Sequence, residues 1–189
     1  MSSRIVEKGD KVVRKIIPNF HDLKDKKFPT LEEVDNNWET ARERIEELLA
    51  DVTPLTRSAV VQQYNEYLIY NETKDNIFAP IYFFSEDERN LPVLGFPVFT
   101  PLDNDENFYH YSDNECLVRL GYLSKELGID YDEVAKFLNK VEEICNYFAL
   151  RQDDIIFNLS NVGYSEEFGL RIIDYGLLES DKNKFELIW

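Results

Sequence analysis

An asparagine and an aspartate lie at the two ends of a short hairpin that the sequence predicts late in the chain. The strand-like runs are Asn161 to Tyr164 and Leu170 to Ile173, and Asp174 follows thirteen positions after Asn161. Such a hairpin can bring its two ends together, and amide and carboxylate oxygens are hard ligands of the kind that Mg²⁺ prefers. Both residue types also favour turns, so a plain role as turn formers at the hairpin ends stays open.

Other common site chemistries have little support in this sequence. The two histidines, His21 and His110, are far apart and have no cysteine or carboxylate at metal-ligand spacing, which argues against zinc. The two cysteines, Cys116 and Cys145, lie among apolar residues and do not make a disulfide framework, which fits a reducing cytosol. The sequence contains no GxSxG, GxxxxGK[ST] or GxGxxG motif.

Composition predicts one folded, acidic domain. The 189 residues are 43% hydrophobic and 14% aromatic, enough for one sizeable core. A formal charge of −16 makes direct binding to nucleic acid or to an anionic membrane unfavourable. The charge either serves solubility or favours a basic partner. Since the sequence has neither a signal-peptide core nor an apolar run of membrane-spanning length, we expect a cytoplasmic protein.

The first third of the chain is predicted to hold a hairpin and two helices. Arg4 to Val6 and Lys11 to Ile17 read as paired strands, and Lys15 lies on the second. Thr30-x-x-Glu33 is a capping box, and the helix it begins carries an apolar stripe from Leu31 to Leu48. This stripe either packs on its own domain or binds a partner. A second helix, from Arg57 to about Asn71, has Glu66 in its middle.

The rest of the chain is predicted to contain two more strands, two helices and the late hairpin. Ile77 to Phe84 and Leu91 to Phe99 read as strands, and Pro97, Pro101 and the following acidic run mark a linker. The spacing of apolar residues then becomes that of helices over 112–127 and 130–149.

The order of these elements, together with the motifs of the late hairpin, resembles a known family. Phe157 to Tyr164 followed by Leu170 to Gly176, which ends in Asp-Tyr-Gly, is similar to the catalytic loop and metal-binding segment of protein-kinase-like proteins. The similarity is greatest to the small, divergent proteins of this kind that bacteriophages encode. The specific part is confined to these last segments, although the element order agrees over most of the chain.

The resemblance implies a role for each candidate residue. Lys15 would contact nucleotide phosphates and Glu66 would hold Lys15, while Asn161 and Asp174 would bind Mg²⁺. Phe99 to Leu102 would form the linker against which an adenine ring lies. Alone, Lys15 is more typical of a surface lysine and Glu66 of a solvated helix position.

Three departures from the family pattern argue against efficient phosphoryl transfer. The family has a catalytic aspartate five residues before the asparagine, but this position is Ile156, and Asp154 and Asp153 are the nearest carboxylates. The phosphate-covering loop is reduced to a single Gly9. Only thirteen residues follow Gly176, so we expect the C-terminal lobe to lack the segments that bind a peptide substrate.

We therefore expect an α+β, protein-kinase-like fold with two lobes. The N-terminal lobe would span residues 1–102, with a helical insertion over 30–51, and the truncated C-terminal lobe 103–189. The expected function is that of a degenerate kinase-like protein that acts mainly by protein binding, as a phage-encoded modulator of a host protein, and retains ATP and Mg²⁺ binding. One alternative is a minimal active kinase that uses Asp154 as its catalytic carboxylate. The other is an acidic decoy for a nucleic-acid-binding host protein.

Overall fold

The computed structural model describes residues 5–73, 76–102, 121, 124–125, 127–151, 155, 159–176 and 178. Their architecture is α+β, as the sequence predicts. Four strands form an antiparallel sheet in the order β1-β2-β4-β3. They are β1 (Ile5–Lys8), β2 (Val12–Ile16), β3 (Phe83–Glu86) and β4 (Pro92–Pro97).

The first predicted hairpin is confirmed, whereas the prediction of one strand over Ile77 to Phe84 is wrong. Only its last two residues belong to β3. The segment before β3 pairs instead with the late hairpin, because Ile172 N donates to Ile77 O at 2.8 Å and Ala79 N donates to Ile172 O at 2.9 Å. The segment from Ile77 to Glu86 therefore contacts both sheets, because its start pairs with the late hairpin and its end forms β3.

Two short helices replace the single helix expected after the capping box. They are α1 (Leu31–Asn36) and α2 (Trp38–Leu49). The capping box itself is confirmed, with the side chains and backbone amides of Thr30 and Glu33 bonded reciprocally. Asn37 interrupts the helix with φ −156° and ψ 89°, and its side chain accepts from Thr40 N to cap α2.

The apolar stripe on α1 and α2 faces the core of the same domain. Val34, Ala41 and Ile45 are buried, and Trp38 and Leu48 pack against the same hydrophobic cluster. The stripe is therefore part of the core and not an open partner-binding face.

The helix α3 (Pro54–Thr73) is the central element of the fold. Its buried residues include apolar and polar side chains from all around the helix. Pro54 is at the first helical position, where its missing N–H costs nothing. Asp22 supports this end of the helix, because Thr53 N donates to Asp22 Oδ2 at 2.8 Å and Thr56 Oγ1 donates to Asp22 Oδ1 at 3.0 Å.

The second sheet is small, antiparallel and ordered β5-β6-β7. Its strands are β5 (Thr100–Pro101), β6 (Val162–Ser165) and β7 (Gly169–Ile172). The late hairpin is thus confirmed, as is the helix expected over 130–149, which is α4 (Tyr131–Phe148) with Asp130 as its N-cap. The predicted helix over 112–127 lies mostly outside the described residues.

Two hydrophobic clusters meet along α3. Val60, Val61 and Tyr64 contribute to the cluster beneath the first sheet, and Ile69 contributes to the cluster around α4 and the second sheet. Among the described residues, no helix has both the length and the apolar character to cross a membrane.

Asp22 gives the start of α3 a pH dependence that can be measured. Partial burial raises the pKa of its carboxyl, but the hydrogen bonds donated by Thr53 and Thr56 together outweigh this and hold the pKa below the ordinary 3.8. A depressed pKa contributes stability above the unfolded-state value, and this contribution is lost as the pH falls through the folded-state value. Asp22→Asn should therefore lower the free energy of unfolding at pH 7 by about 1 kcal/mol. The difference should shrink below pH 3.8.

Urea titrations of both proteins, from pH 7 to below this value, check the prediction. Asp10→Asn, in the exposed turn between β1 and β2, is the control and should leave stability nearly unchanged at each pH. A deficit for Asp22→Asn that does not vary with pH would contradict the proposed electrostatic contribution.

Candidate functional site

Lys15 points from β2 toward α3 instead of into solvent. Its residue is 6% exposed, and its backbone is paired with Leu94 of β4. The buried amide of Gln63 fixes this strand against the helix, since its Nε2 donates to Lys15 O and to Pro92 O, each at 2.8 Å. The lysine is therefore held at the interface between the sheet and α3.

Glu66 meets Lys15 in the interior of the protein. Lys15 Nζ lies 2.7 Å from Glu66 Oε1, and the Glu66 side chain is fully buried. The same oxygen accepts a hydrogen bond from Tyr175 N at 2.9 Å. A buried carboxylate needs such partners, because an unpaired charge in the interior is costly.

Asp174 completes the cluster from the segment that follows β7. Its Oδ1 lies 3.1 Å from Lys15 Nζ, and Lys15 also donates to Ile173 O at 2.6 Å. The Asp174 side chain is 26% exposed, so the cluster opens to solvent on this side. We call Lys15, Glu66 and Asp174 the charged cluster.

The Asp-Tyr-Gly segment, residues 174–176, is attached to α3 along its length. Gln62 Nε2 lies 3.3 Å from Asp174 Oδ1, and Asn65 Nδ2 donates to Gly176 O at 2.7 Å. Gly176 has φ +103°, and a Cβ there would lie 2.6 Å from Gln62 O. Only glycine permits both this backbone conformation and this approach to the helix.

Asn161 is beside Asp174, as the hairpin spacing predicts. Its backbone carbonyl accepts from Ile173 N at 2.8 Å and is 3.4 Å from Asp174 N. Asn161 is 8% exposed. The hairpin therefore brings the backbones of the two predicted ligand residues together at the same end of the second sheet.

The donor set and the charge of this site fit Mg²⁺. One ammonium group faces two carboxylates, which leaves an excess of negative charge at the partly exposed Asp174. The described residues contain no group of three or more histidine, cysteine, aspartate or glutamate side chains suited to a metal. Sites for Mg²⁺ at nucleotides need only one or two protein carboxylates, since phosphates and water supply further oxygens. Asp174 and Asn161 would hold the ion here.

Two further predicted features have different outcomes. Asp154, the candidate catalytic carboxylate, lies outside the described residues. The segment from Phe99 to Leu102, expected to be a linker, contains a short strand. Thr100 and Pro101 form β5 and pair with β6. Phe99 and Leu102 are both buried, at 7% exposure each, so their side chains serve the two cores.

Sequence reasoning missed the polar residues of α3 that hold the 174–176 segment. Gln62 lies four positions before Glu66 and three before Asn65, so it is a helix-face neighbour of both, and Gln62 and Asn65 are each 8% exposed. No local sequence signal separates these two residues from polar helix residues that face solvent, because their burial depends on the distant 174–176 segment.

A cavity of about 170 Å³ lies elsewhere, between α2, α3 and the end of α4. Trp38, Ile45 and Leu68 are among its lining residues, whereas no member of the charged cluster lines it. The candidate site is thus separate from this cavity.

The chain matches no protein-family model, and it has no significant similarity to a curated protein or to a solved structure.

The charged cluster should make Lys15 far more important for stability than a lysine whose carboxylate partner is exposed. Lys15→Met leaves Glu66 buried without its cation and should lower the free energy of unfolding by about 3–5 kcal/mol. Adding Glu66→Gln should restore part of the loss, because the buried charge is then removed as well. Urea unfolding of the single and double variants measures both effects.

The matched control is Lys26→Met. Lys26 Nζ lies 2.6 Å from Asp51 Oδ1, but the Asp51 side chain is 76% exposed, and such pairs contribute little. Equal losses for Lys15→Met and Lys26→Met would show that the charged cluster is not electrostatically special.

Gly176 should tolerate alanine much less well than Gly128, although both have positive φ. At Gly128, with φ +70°, a Cβ meets nothing within 4 Å, so the substitution should cost only the backbone strain of about 1–2 kcal/mol. At Gly176 the new Cβ would also collide with the backbone of α3. Gly176→Ala should therefore lower the melting temperature several degrees further than Gly128→Ala. Equal melting temperatures would contradict the close contact between this segment and the helix.

Proposed function

We propose that this chain is a protein-kinase-like protein that binds a nucleoside triphosphate with Mg²⁺ at the charged cluster and acts mainly by binding another protein. The proposal includes the finer fold assignment, with an N-terminal lobe over residues 1–102 and a C-terminal lobe over 103–189.

The observation that carries this proposal is the convergence on Lys15 Nζ. Its two carboxylate partners, Glu66 and Asp174, lie 51 and 159 positions further along the chain, at 2.7 Å and 3.1 Å. In protein kinases a strand lysine pairs with a helix glutamate, and an aspartate at the start of an Asp-x-Gly motif binds Mg²⁺. The same three residue types come here from a strand, a helix and an Asp-Tyr-Gly segment, in the same chain order.

Each side chain would have a defined task in nucleotide binding. Lys15 would donate to phosphate oxygens, and Glu66 would hold the ammonium group in position. Asp174 and Asn161 would supply carboxylate and amide oxygens to Mg²⁺, which offsets the negative charge of the phosphates when bound. The protein's part in this chemistry is thus positioning and charge complementarity.

Efficient phosphoryl transfer does not belong to the proposal. Ile156 stands five residues before Asn161, where a carboxylate would orient the acceptor hydroxyl. A role in protein binding is more consistent with this sequence. The charge of −16 and the exposed Glu32, Glu39 and Glu43 on α1 and α2 favour a partner with a basic surface. In the phage setting that the resemblance implies, this partner would be a host protein.

Thermal unfolding with and without ATP and Mg²⁺ tests the proposal. A ligand that binds only the native state stabilises it by about 2.7 kcal/mol at a concentration 100 times its Kd. For a chain of this size, each 1 kcal/mol raises the melting temperature by roughly 2–4 °C. Millimolar ATP with Mg²⁺ should therefore raise it by several degrees, and ATP with EDTA should raise it less.

Asp174→Asn should remove the Mg²⁺-dependent part of this shift. The control is Asp51→Asn, which also removes a carboxylate paired with a lysine but lies on the exposed surface. Absence of any shift with the wild-type protein would contradict nucleotide binding. Transfer of labelled γ-phosphate at a rate typical of kinases, about 1–100 s⁻¹, would contradict the primacy of protein binding.

A further inference from the structure

Gln62 lies one helical turn before Glu66 on α3 and shares a carboxylate oxygen with Lys15. Gln62 Nε2 is 3.3 Å from Asp174 Oδ1, and Lys15 Nζ is 3.1 Å from the same atom. The amide nitrogen of Gln62 is also 3.5 Å from Tyr175 O. At 8% exposure, this side chain is packed into the candidate site and not directed into solvent.

All donors of Lys15 are used within the protein. An ammonium group has three hydrogens. Three oxygens lie within hydrogen-bond distance of Nζ: Ile173 O at 2.6 Å, Glu66 Oε1 at 2.7 Å and Asp174 Oδ1 at 3.1 Å. Lys15 can therefore donate fully to a phosphate only if one of these contacts is released.

Asp174 is the partner that Lys15 can release at the lowest cost. Its contact with Nζ is the longest of the three, and its side chain is 26% exposed whereas that of Glu66 is fully buried. Water and a cation can compensate a carboxylate at this position, but they cannot reach Glu66 without opening the core. The exchange would leave Asp174 without its lysine at the moment when it must be held in place.

We propose that Gln62 is a positioning residue, which holds Asp174 in the orientation for Mg²⁺ while Lys15 exchanges this carboxylate for a nucleotide phosphate. This inference rests on the proposed function. An amide suits the task because it donates a hydrogen bond without adding positive charge. A cationic side chain at this position would compete with Mg²⁺ for the same carboxylate.

The experiment measures ATP binding by calorimetry over a series of Mg²⁺ concentrations. Gln62→Met keeps the length of the side chain but removes the donor. It should raise the Mg²⁺ concentration for half-maximal binding by about 10-fold or more, as is typical when a residue that orients a metal ligand is lost. Binding of ATP in EDTA should stay the same, because Gln62 does not contact the phosphates in this proposal. Gln62→Lys keeps a donor but adds a positive charge beside the carboxylate, and it should raise the Mg²⁺ midpoint further still.

Tyr64→Phe is the matched control, since Tyr64 is also a buried residue of α3 but its hydroxyl donates to Pro29 O at 3.2 Å, just before α1, and not to the charged cluster. It should lower the melting temperature without changing the Mg²⁺ midpoint.

The outcomes separate this inference from the proposed function. If the wild-type protein binds no ATP, both are wrong. If it does bind, and either Gln62 variant leaves the Mg²⁺ midpoint unchanged, only the role of Gln62 is wrong. An equal loss of binding with Mg²⁺ and in EDTA would show a merely structural role and would also overturn it. Should Gln62→Met fail to fold, Gln62→Leu, which also removes the donor without adding charge, provides the decision.

Discussion

A single buried ammonium group joins three distant parts of this chain. Lys15 Nζ contacts a carboxylate from the middle of α3 and both a carbonyl and a carboxylate from the segment after β7. The rest of the fold must satisfy this constraint, because a charge in the interior is tolerated only when its partners are fixed around it. The contacts of Lys15 therefore tie the first sheet to the central helix and to the segment after the late hairpin.

The constraint explains why α3 is buried on its polar as well as its apolar side. A surface helix buries one stripe, but α3 lies between the two hydrophobic clusters and also carries Gln62, Gln63, Asn65 and Glu66 inside the protein. Each of these four side chains has a hydrogen-bond partner on another element. The helix thus holds both the Lys15 strand and the 174–176 segment through these side chains.

Local signals predicted much of the fold, and long-range contacts account for the errors. The capping box, the first and last hairpins and α4 depend on neighbouring residues, so their sequence patterns were sufficient. The break at Asn37 was missed because the apolar spacing continues across it. The sequence after Ile77 has the pattern of a regular strand, but it bonds to Ile172 and does not extend β3. Such pairing depends on residues far away in the chain.

In the candidate site, too, the residues with a sequence motif were predicted and those defined only by long-range contacts were missed. Lys15, Glu66 and Asp174 were selected by their order and by the Asp-Tyr-Gly motif, and the structure brings them into contact. Gln62 and Asn65 were missed because a polar residue on a helix ordinarily faces solvent. Their burial follows only from the approach of residues 174–176 to α3, which Gly176 permits.

The two carboxylates of the charged cluster differ in how strongly they attract Lys15, because they differ in burial. Two unit charges about 4 Å apart interact by about 4 kcal/mol at an effective dielectric constant of about 20, but by only about 1 kcal/mol in bulk water. Glu66 is fully buried, so its attraction to Lys15 is near the stronger limit, whereas the 26% exposed Asp174 is nearer to the weaker one. The Lys15–Glu66 pair is therefore the permanent part of the cluster. Asp174 is the partner that solvent reaches, so its attraction to Lys15 is the weaker of the two.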